Sequence, residues 1–347
     1  MSYLTLAAEA LSISILSFLL CFYGTKFLIG YLTKKKMTVL DYHKQNKPQI
    51  PRPGGPAIII AIVAAEIILF ALTASYAALG LALVTLLSGL IGVVDDLKTL
   101  GGIVKPALLL GGGLPLVALQ YLVPGAMVYD HHLYLPLFRE PTNVPLIYIL
   151  LIIVAIPVVT NTINTIDVLN GVVTATILIA SVPMGFAIIL RYLVGKENPV
   201  ILAAFFPFVA ATLAFFYFHR FPSKIFPGDS GAMALGAAYG TMAIIGGVEV
   251  VAVIAILPAI MNSFFFLSSV RRLVEHRQIK SQPVIIQPDN TMLASVDPKA
   301  PVTLMRLLVG TQAKTEKEIG RDILKLSAYT AFLAGLTAIL TWVITIA

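Results

Sequence analysis

Charge is scarce in this sequence. Only 12% of its residues are Asp, Glu, Lys or Arg, against 58% hydrophobic. A soluble domain carries about twice that charged share, so a soluble enzyme and a disordered chain are both excluded. Cysteine is almost absent. Cys21 stands alone, which rules out an intrachain disulfide and with it a secreted disulfide scaffold. No glycine-rich loop of the P-loop or dinucleotide-binding kind occurs, and no internal repeat is evident. The net charge of +7 would suggest nucleic acid in a soluble chain. In a chain with a mean hydropathy of +0.92, it asks instead where the charges sit relative to membrane spans.

Long uncharged stretches recur along the whole sequence. A helix needs about 20 apolar residues to cross the hydrocarbon, and lipid leaves no open backbone satisfied. The pattern predicts an all-α polytopic membrane protein of about ten transmembrane helices. They fall near residues 6–32, 55–75, 79–95, 105–124, 143–163, 171–191, 199–218, 230–247, 250–270 and 325–346. The first run lacks the charged leader of a signal peptide and reads as a span. With both termini outside, every Lys and Arg except Arg139, Arg191 and Lys196 falls on the inner side, a strong positive-inside bias. The whole of 1–347 then forms a single integral-membrane catalytic domain. Residues 271–324 form its one long cytoplasmic loop. Within that loop, 283–296 reads as a short β-hairpin around a Pro-Asp-Asn turn. TLMRLLVG (303–310) reads as a short amphipathic piece, and 311–320 as a wet connector.

Polar residues gather at the inner ends of these spans, where ionisable groups are costly and usually functional. Asp95 and Asp96 end one span, with Lys98 and Lys105 following. Adjacent carboxylates repel, so the pair wants a cation or a proton. Asn161, Asn164, Asp167 and Asn170 recur at an interval of three, a spacing that turns their oxygens to a shared side. Oxygen donors of this kind suit Mg²⁺, which keeps waters and takes substrate phosphates. Asp229, in Phe-Pro-Gly-Asp, starts an apolar run. It can cap that helix or complete a metal site, and the two roles compete for its oxygens. Arg271, Arg272, His276 and Arg277 open the long loop, and arginine forks bind phosphate. The first inner loop, 41–55, is stiffened by proline and glycine. Its Lys44, Lys47 and Arg52 can meet an anionic substrate or lipid headgroups. On the outer side, His131 and His132 lack the spacing of a metal site. Glu66 is the main charge within a span, either a buried functional acid or a paired structural residue.

Five separated signatures, in order and on inner loops, carry a resemblance. They are Asp41-Tyr42-His43-Lys44; Asp95-Asp96 with Lys105; Asn161 and Asn164 with Asn170-Gly171; Phe226-Pro227-Gly228-Asp229; and His276-Arg277. Together they resemble the polyprenyl-phosphate N-acetylhexosamine-1-phosphate transferase superfamily, most closely its archaeal and eukaryotic UDP-GlcNAc:dolichyl-phosphate GlcNAc-1-phosphate transferases. The resemblance implies a multi-pass cell-membrane enzyme with its active site on the cytoplasmic face. It implies Mg²⁺, with Mn²⁺ as a substitute, UDP-GlcNAc as donor, and dolichyl or another polyprenyl phosphate as acceptor. The products are GlcNAc-diphospho-dolichol and UMP, the first step of lipid-linked oligosaccharide assembly for N-glycosylation. Asn164 and Asp229 would hold the metal. Asp95, Asp96, Lys105, Asp167 and Arg277 would act in catalysis. Lys44, Asn161, Asn170, Gly171, His276 and Arg277 would bind donor or phosphate, and Lys47, Arg52, Arg271 and Arg272 would meet lipid or headgroups.

The chain departs from the pattern in places. Asp167 falls where the bacterial cell-wall branch has an aspartate, Val168 replaces a glycine, and the last loop carries only His276 where that branch is histidine-rich. Membrane lipids are the expected surroundings, with a homodimer compatible and no role for nucleic acid. The lack of a retention signal favours an archaeal enzyme. Two other readings stay open. One is the same chemistry with another UDP-hexosamine or polyprenyl phosphate, for a wall or surface polymer. The other is a transporter or flippase, although such proteins place their site nearer the membrane midplane.

Overall fold

A lipid environment offers the backbone no partner, so the apolar runs fold as helices that satisfy themselves. The computed structural model describes residues 3–138, 141–196, 198–271, 279 and 281–343. The helices are α1 (Tyr3–Lys34), α2 (Gly55–Thr73), α3 (Tyr76–Leu97), α4 (Val104–Leu110), α5 (Leu114–Leu122), α6 (Pro145–Thr165), α7 (Val172–Leu193), α8 (Pro199–His219), α9 (Gly228–Ile245), α10 (Glu249–Ala255), α11 (Leu257–Val270), α12 (Leu304–Leu308) and α13 (Glu316–Trp342). The protein is therefore a multi-pass, mostly α-helical membrane protein with a minor β component.

The expected ten regular spans resolve into something less uniform. Among the described residues, eight helical stretches are long and apolar enough to cross a membrane, or nine if one bent pair counts as a span. That pair is α10 and α11, which meet at 67° where a single straight helix over 250–270 was expected. Pro258 explains the break, because a proline inside a helix removes a hydrogen bond and crowds the preceding turn. The stretch expected at 105–124 is α4 and α5 joined by a 3₁₀ turn at Gly111–Gly113. Helix α9 covers the stretch expected at 230–247 but is not among the strongly apolar helices. It is rich in glycine and alanine, and all of its residues are buried.

That composition places α9 at the centre of the bundle. It packs against α2, α3, α6 and α7, and small residues let the backbones close up. A Cβ added at Gly92 of α3 would lie 2.5 Å from the Ser230 Cα, and one at Gly236 would lie 2.8 Å from the Thr160 Cα. Around this core, α1 packs on α8 and α2, and α13 on α7.

The loops carry small antiparallel sheets. β1 (Thr38–Leu40) pairs with β2 (Gln49–Pro51), a hairpin not foreseen in the first inner loop. β3 (His132–Leu133) pairs with β4 (Thr142–Asn143). β5 (Val284–Ile286) and β6 (Thr291–Ala294) form the hairpin of the long loop, and β7 (Lys314–Thr315) adds a third strand beside β6. The stretch 311–320 is thus not a wet connector throughout. Thr315 caps α13 through a reciprocal capping box with Glu318, and Glu316 is buried.

The close α3–α9 approach yields a direct test. Gly92→Val should force the backbones apart and cost about 1–3 kcal/mol or more, seen as a lowered melting temperature or loss of the monodisperse peak in detergent. Gly30→Ala, where an added Cβ meets nothing within 4 Å, should be neutral in the same measurements.

Candidate active site

The start of α9 would ordinarily leave several backbone N–H groups without partners. Asp229 does not cap it. Asp96, at the end of α3, does so from outside: its Oδ1 accepts from the Asp229 N–H at 2.9 Å, and its Oδ2 accepts from the Ser230 N–H at 2.9 Å and the Ser230 hydroxyl at 2.7 Å. Gly228, at φ +72, makes the turn into the helix. A Cβ there would press on the Asp96 carboxylate at 2.7 Å.

This borrowed cap leaves the Asp229 side chain for other work. Its Oδ1 accepts from Lys105 Nζ at 2.8 Å and from Asn164 Nδ2 at 3.0 Å, and its Oδ2 from Arg52 Nη2 at 2.5 Å. Lys105 is 3% exposed and also donates to Asp95 Oδ2 at 2.7 Å. Asp95 Oδ1 accepts from the Leu100 N–H at 2.6 Å. Arg52 bridges to Asp96 Oδ1 at 3.0 Å. Residues from α3, α4, α6, α9 and the first inner loop thus converge on one carboxylate cluster.

Asp167 stands beside them, half-buried, its Oδ1 3.9 Å from His219 Nε2. Burial pushes its carboxyl up to about 7; Arg52 opposes the rise, and Asp229 and Asp96 add to it. Hard oxygen donors from Asp229, Asn164 and Asp167 suit Mg²⁺ by their chemistry. Asn164 now turns its amide nitrogen to Asp229, so ligating a cation requires the amide to present its oxygen instead.

The interval of three from Asn161 to Asn170 does not hold its members on one side. Helix α6 ends at Thr165, so Asp167 and Asn170 leave the helical register. Asn170 turns to a second cluster. Its Nδ2 donates to Glu316 Oε1 and, at 3.2 Å, to Asp41 Oδ2, and its Oδ1 accepts from the Ser223 N–H at 2.7 Å. Gly171, at φ +80, lets the chain re-enter α7, and its N–H donates to His219 Nε2 at 3.4 Å.

Lys44, expected at the donor, forms ion pairs with Asp41 and, at 3.2 Å, with Glu316. Asp41, His43 and Glu316 form a largely buried acidic and histidine cluster whose ligand atoms lie within 4.8 Å of one another, a set able to coordinate a divalent metal. Burial lowers the His43 imidazole against the pull of Glu316 and Asp41, which keeps it in the neutral form that ligates. The Lys44 ammonium already answers both carboxylates there, so a cation would have to displace it.

Arg52 is not at a headgroup; two buried carboxylates engage it. Lys47 lies 6.0 Å from the Tyr42 ring, and exposed Arg271 ends α11 at φ +57. No polar contact recorded among the described residues joins Asn161 to the cluster. Arg272, His276 and Arg277 lie outside the described residues. Glu66 is fully buried with neither oxygen hydrogen-bonded, and it does not join the site. His132 pairs with Asp130 at 2.5 Å at the other end of the bundle, where buried Arg191 packs over Tyr134 and Trp342. Sequence reasoning missed Ser230, His219 and Glu316. Only Glu316 carried a signal, the Thr-x-x-Glu capping pattern beside it.

The family model for glycosyl transferase family 4 matches residues 78–247, the stretch that runs from α3 through α9. A phospho-N-acetylmuramoyl-pentapeptide-transferase of Hydrogenobaculum is 27% identical over 268 residues, covering 71% of this chain and 74% of the relative. One of Chlorobium phaeobacteroides is 29% identical over 290 residues, covering 76% and 75%. A Saccharolobus solfataricus protein provisionally named UDP-N-acetylglucosamine–dolichyl-phosphate N-acetylglucosaminephosphotransferase is 26% identical over 256 residues, covering 72% and 74%. The chain is similar over residues 78–247, just under half of its length, to the glycosyl transferase family 4 superfamily of polyprenyl-phosphate sugar-1-phosphate transferases. Its general chemistry is the transfer of a sugar-1-phosphate from a UDP-sugar to a polyprenyl phosphate.

The raised Asp167 carboxyl sets a pH dependence. A folded-state value near 7, above the ordinary 3.8, means that ionising this group opposes folding, so metal-free stability falls as pH rises towards 7 and levels off above it. Asp167→Asn should remove that component. Melting temperatures from pH 5 to 8 should show wild type losing ground to the variant up to about pH 7, and parallel curves would refute the assignment.

Proposed function

We propose that this protein transfers a hexosamine-1-phosphate from a UDP-hexosamine to a polyprenyl phosphate at the cytoplasmic membrane face, supplying a wall or surface polymer. The observation that carries this reading is Asp229, shared by Lys105, Asn164 and Arg52 beside Asp95 and Asp96. The bacterial relatives, named for phospho-N-acetylmuramoyl-pentapeptide transfer, favour the polymer over the dolichol pathway expected from the resemblance. The last loop nonetheless has His276 as its only histidine, which argues for a donor smaller than a muramoyl peptide. Transfer of GlcNAc-1-phosphate to dolichyl phosphate is the second reading, supported by the Saccharolobus relative.

In the proposed reaction, an oxygen of the lipid phosphate attacks the phosphorus that bears the sugar. The bond from that phosphorus to the bridging oxygen breaks, and UMP leaves with the oxygen and its electron pair. A bound Mg²⁺ supplies charge neutralisation at the diphosphate. Asp229 and Asn164 are the residues to hold it. Lys105 and Arg52 place positive charge where negative charge shifts towards the leaving UMP, which is electrostatic stabilisation by pre-set groups. Asp95 and Asp96 position that cation set, and a carboxylate of the cluster takes the proton if the lipid phosphate arrives protonated. An apolar crevice bordered by Leu151, Val159, Gly240 and Val253 of α6, α9 and α10 suits a hydrocarbon chain.

The test is UMP release by purified protein offered several UDP-sugars with dolichyl or undecaprenyl phosphate. The expected result is divalent-dependent release with a UDP-N-acetylhexosamine. Asp229→Ala and Asn164→Ala should each lower the rate by about 10²-fold or more. Turnover that survives both substitutions, or that persists after metal is stripped, would overturn the reading.

A further inference from the structure

Arg52 occupies an unusual position. Its segment is laced to the start of α9: Pro51 O accepts from the Phe226 N–H at 3.0 Å, the Gly54 N–H donates to Phe226 O at 2.9 Å, and the Gly55 N–H to Pro227 O at 2.8 Å. A Cβ at Gly55 would lie 2.2 Å from the Gly231 nitrogen, so the two strands of chain lie against each other with no room for a side chain. The Arg52 N–H is itself held by Met37 O at 3.2 Å. This lacing fixes the guanidinium over Asp96 and Asp229, which come from two different helices.

The two described cations of the cluster are not equivalent. The Lys105 side chain is 3% exposed and sits deep between Asp95 and Asp229, whereas that of Arg52 is 24% exposed and takes the other Asp229 oxygen, Oδ2. Among the described residues, four carboxylates, Asp95, Asp96, Asp167 and Asp229, surround two cations. Both contacts run through Nη2, and a guanidinium carries further donors in a fixed fork, so losing Asp229 leaves the contact to Asp96 in place. Resting on the transferase reading above, we infer that Arg52 is a built-in stand-in for the divalent ion. It holds Asp229 and Asp96 in register while the protein is metal-free, gives up Asp229 Oδ2 when the ion binds, and stays tethered to Asp96 with its freed donors available to the anionic diphosphate of the donor. Arg52 is thus a competitor of the metal and a positioning residue for the reaction. A purely structural arginine would have neither property.

The competition predicts a sign that loss of structure does not produce. In metal-free protein, Arg52→Gln should lower the melting temperature. It should also bind Mn²⁺, followed by electron paramagnetic resonance, several-fold to about tenfold more tightly than wild type. The KM for the UDP-sugar should rise while kcat changes less. Arg52→Lys, which keeps one charge on a shorter side chain, should fall between the two in Mn²⁺ affinity and guards against a Gln variant that does not fold. Unchanged or weaker Mn²⁺ binding in the variants overturns the inference, as does a wild-type chain that binds no Mn²⁺. The Mn²⁺ titration is read without turnover. Tighter binding in the variants from a chain that releases no UMP with any donor would therefore sink the transferase reading and leave the stand-in role intact.

Discussion

The Asp96 carboxylate sits on the first turn of a helix to which it does not belong. By accepting the Asp229 and Ser230 N–H groups it answers backbone donors that the Pro-Gly-Asp start of α9 cannot answer for itself. The partial positive charge at that helix end favours an anion there. Had Asp229 capped its own helix, one of its oxygens would be taken up by backbone. The borrowed cap sends both of them towards Lys105, Asn164 and Arg52 instead. The arrangement needs α3 and α9 to lie closer than side chains normally allow, which is why Gly92 faces Ser230 and why α9 is built of glycine and alanine.

Such a cluster is a poor way to stabilise a membrane protein. Taking carboxylates and cations out of water costs several kcal/mol per ion, and pairing repays this only in part. An apolar cluster of similar volume would hold the helices at lower cost. Retaining Asp95, Asp96, Asp229, Lys105 and Arg52 together makes sense for the proposed site, where a divalent ion and a diphosphate would change only the partners of Asp229 and Asn164. The cations pre-set the carboxylates, and the protein carries the desolvation before substrate arrives.

The membrane class and several of the residues that meet in the candidate site were legible in the sequence, because both rest on local composition. Apolar runs announce spans, and Asp95, Asp96, Asn164 and Asp229 stand out against them. The partnerships were not legible. Lys105 meets Asp229 across 124 residues of sequence and Arg52 meets it across 177, and no spacing rule reaches that far. Arg52 looked like a headgroup contact because it sits among lysines in a basic loop; its lacing to Phe226 and Pro227 is a tertiary fact. The interval of three misled for a definite reason. It assumes a continuous helix, and α6 stops at Thr165, so Asn164 and Asn170 serve different clusters. Helix α9 was correctly placed, yet its low apolarity hid that it is the central element. Glycine and alanine are chosen there for close approach, and lipid solubility does not set the choice.

The position of the cluster at the ends of α3, α6 and α9 bears on which chemistry fits. A nucleotide-sugar is a polyanion that cannot enter hydrocarbon, and a polyprenyl phosphate cannot leave it. Their reacting phosphates can meet only where a membrane helix ends. A site at mid-depth would have to carry two or three negative charges across apolar territory, at a cost that even paired ions recover only in part. A site at the boundary needs cations on its water side and an apolar path on its membrane side. The cluster supplies the first through Arg52, its more exposed cation. The apolar crevice beside Val159 and Gly240 offers the second. The crevice and the displaced helix cap are therefore two answers to one problem, that of bringing a phosphate that belongs to lipid to a phosphate that belongs to water.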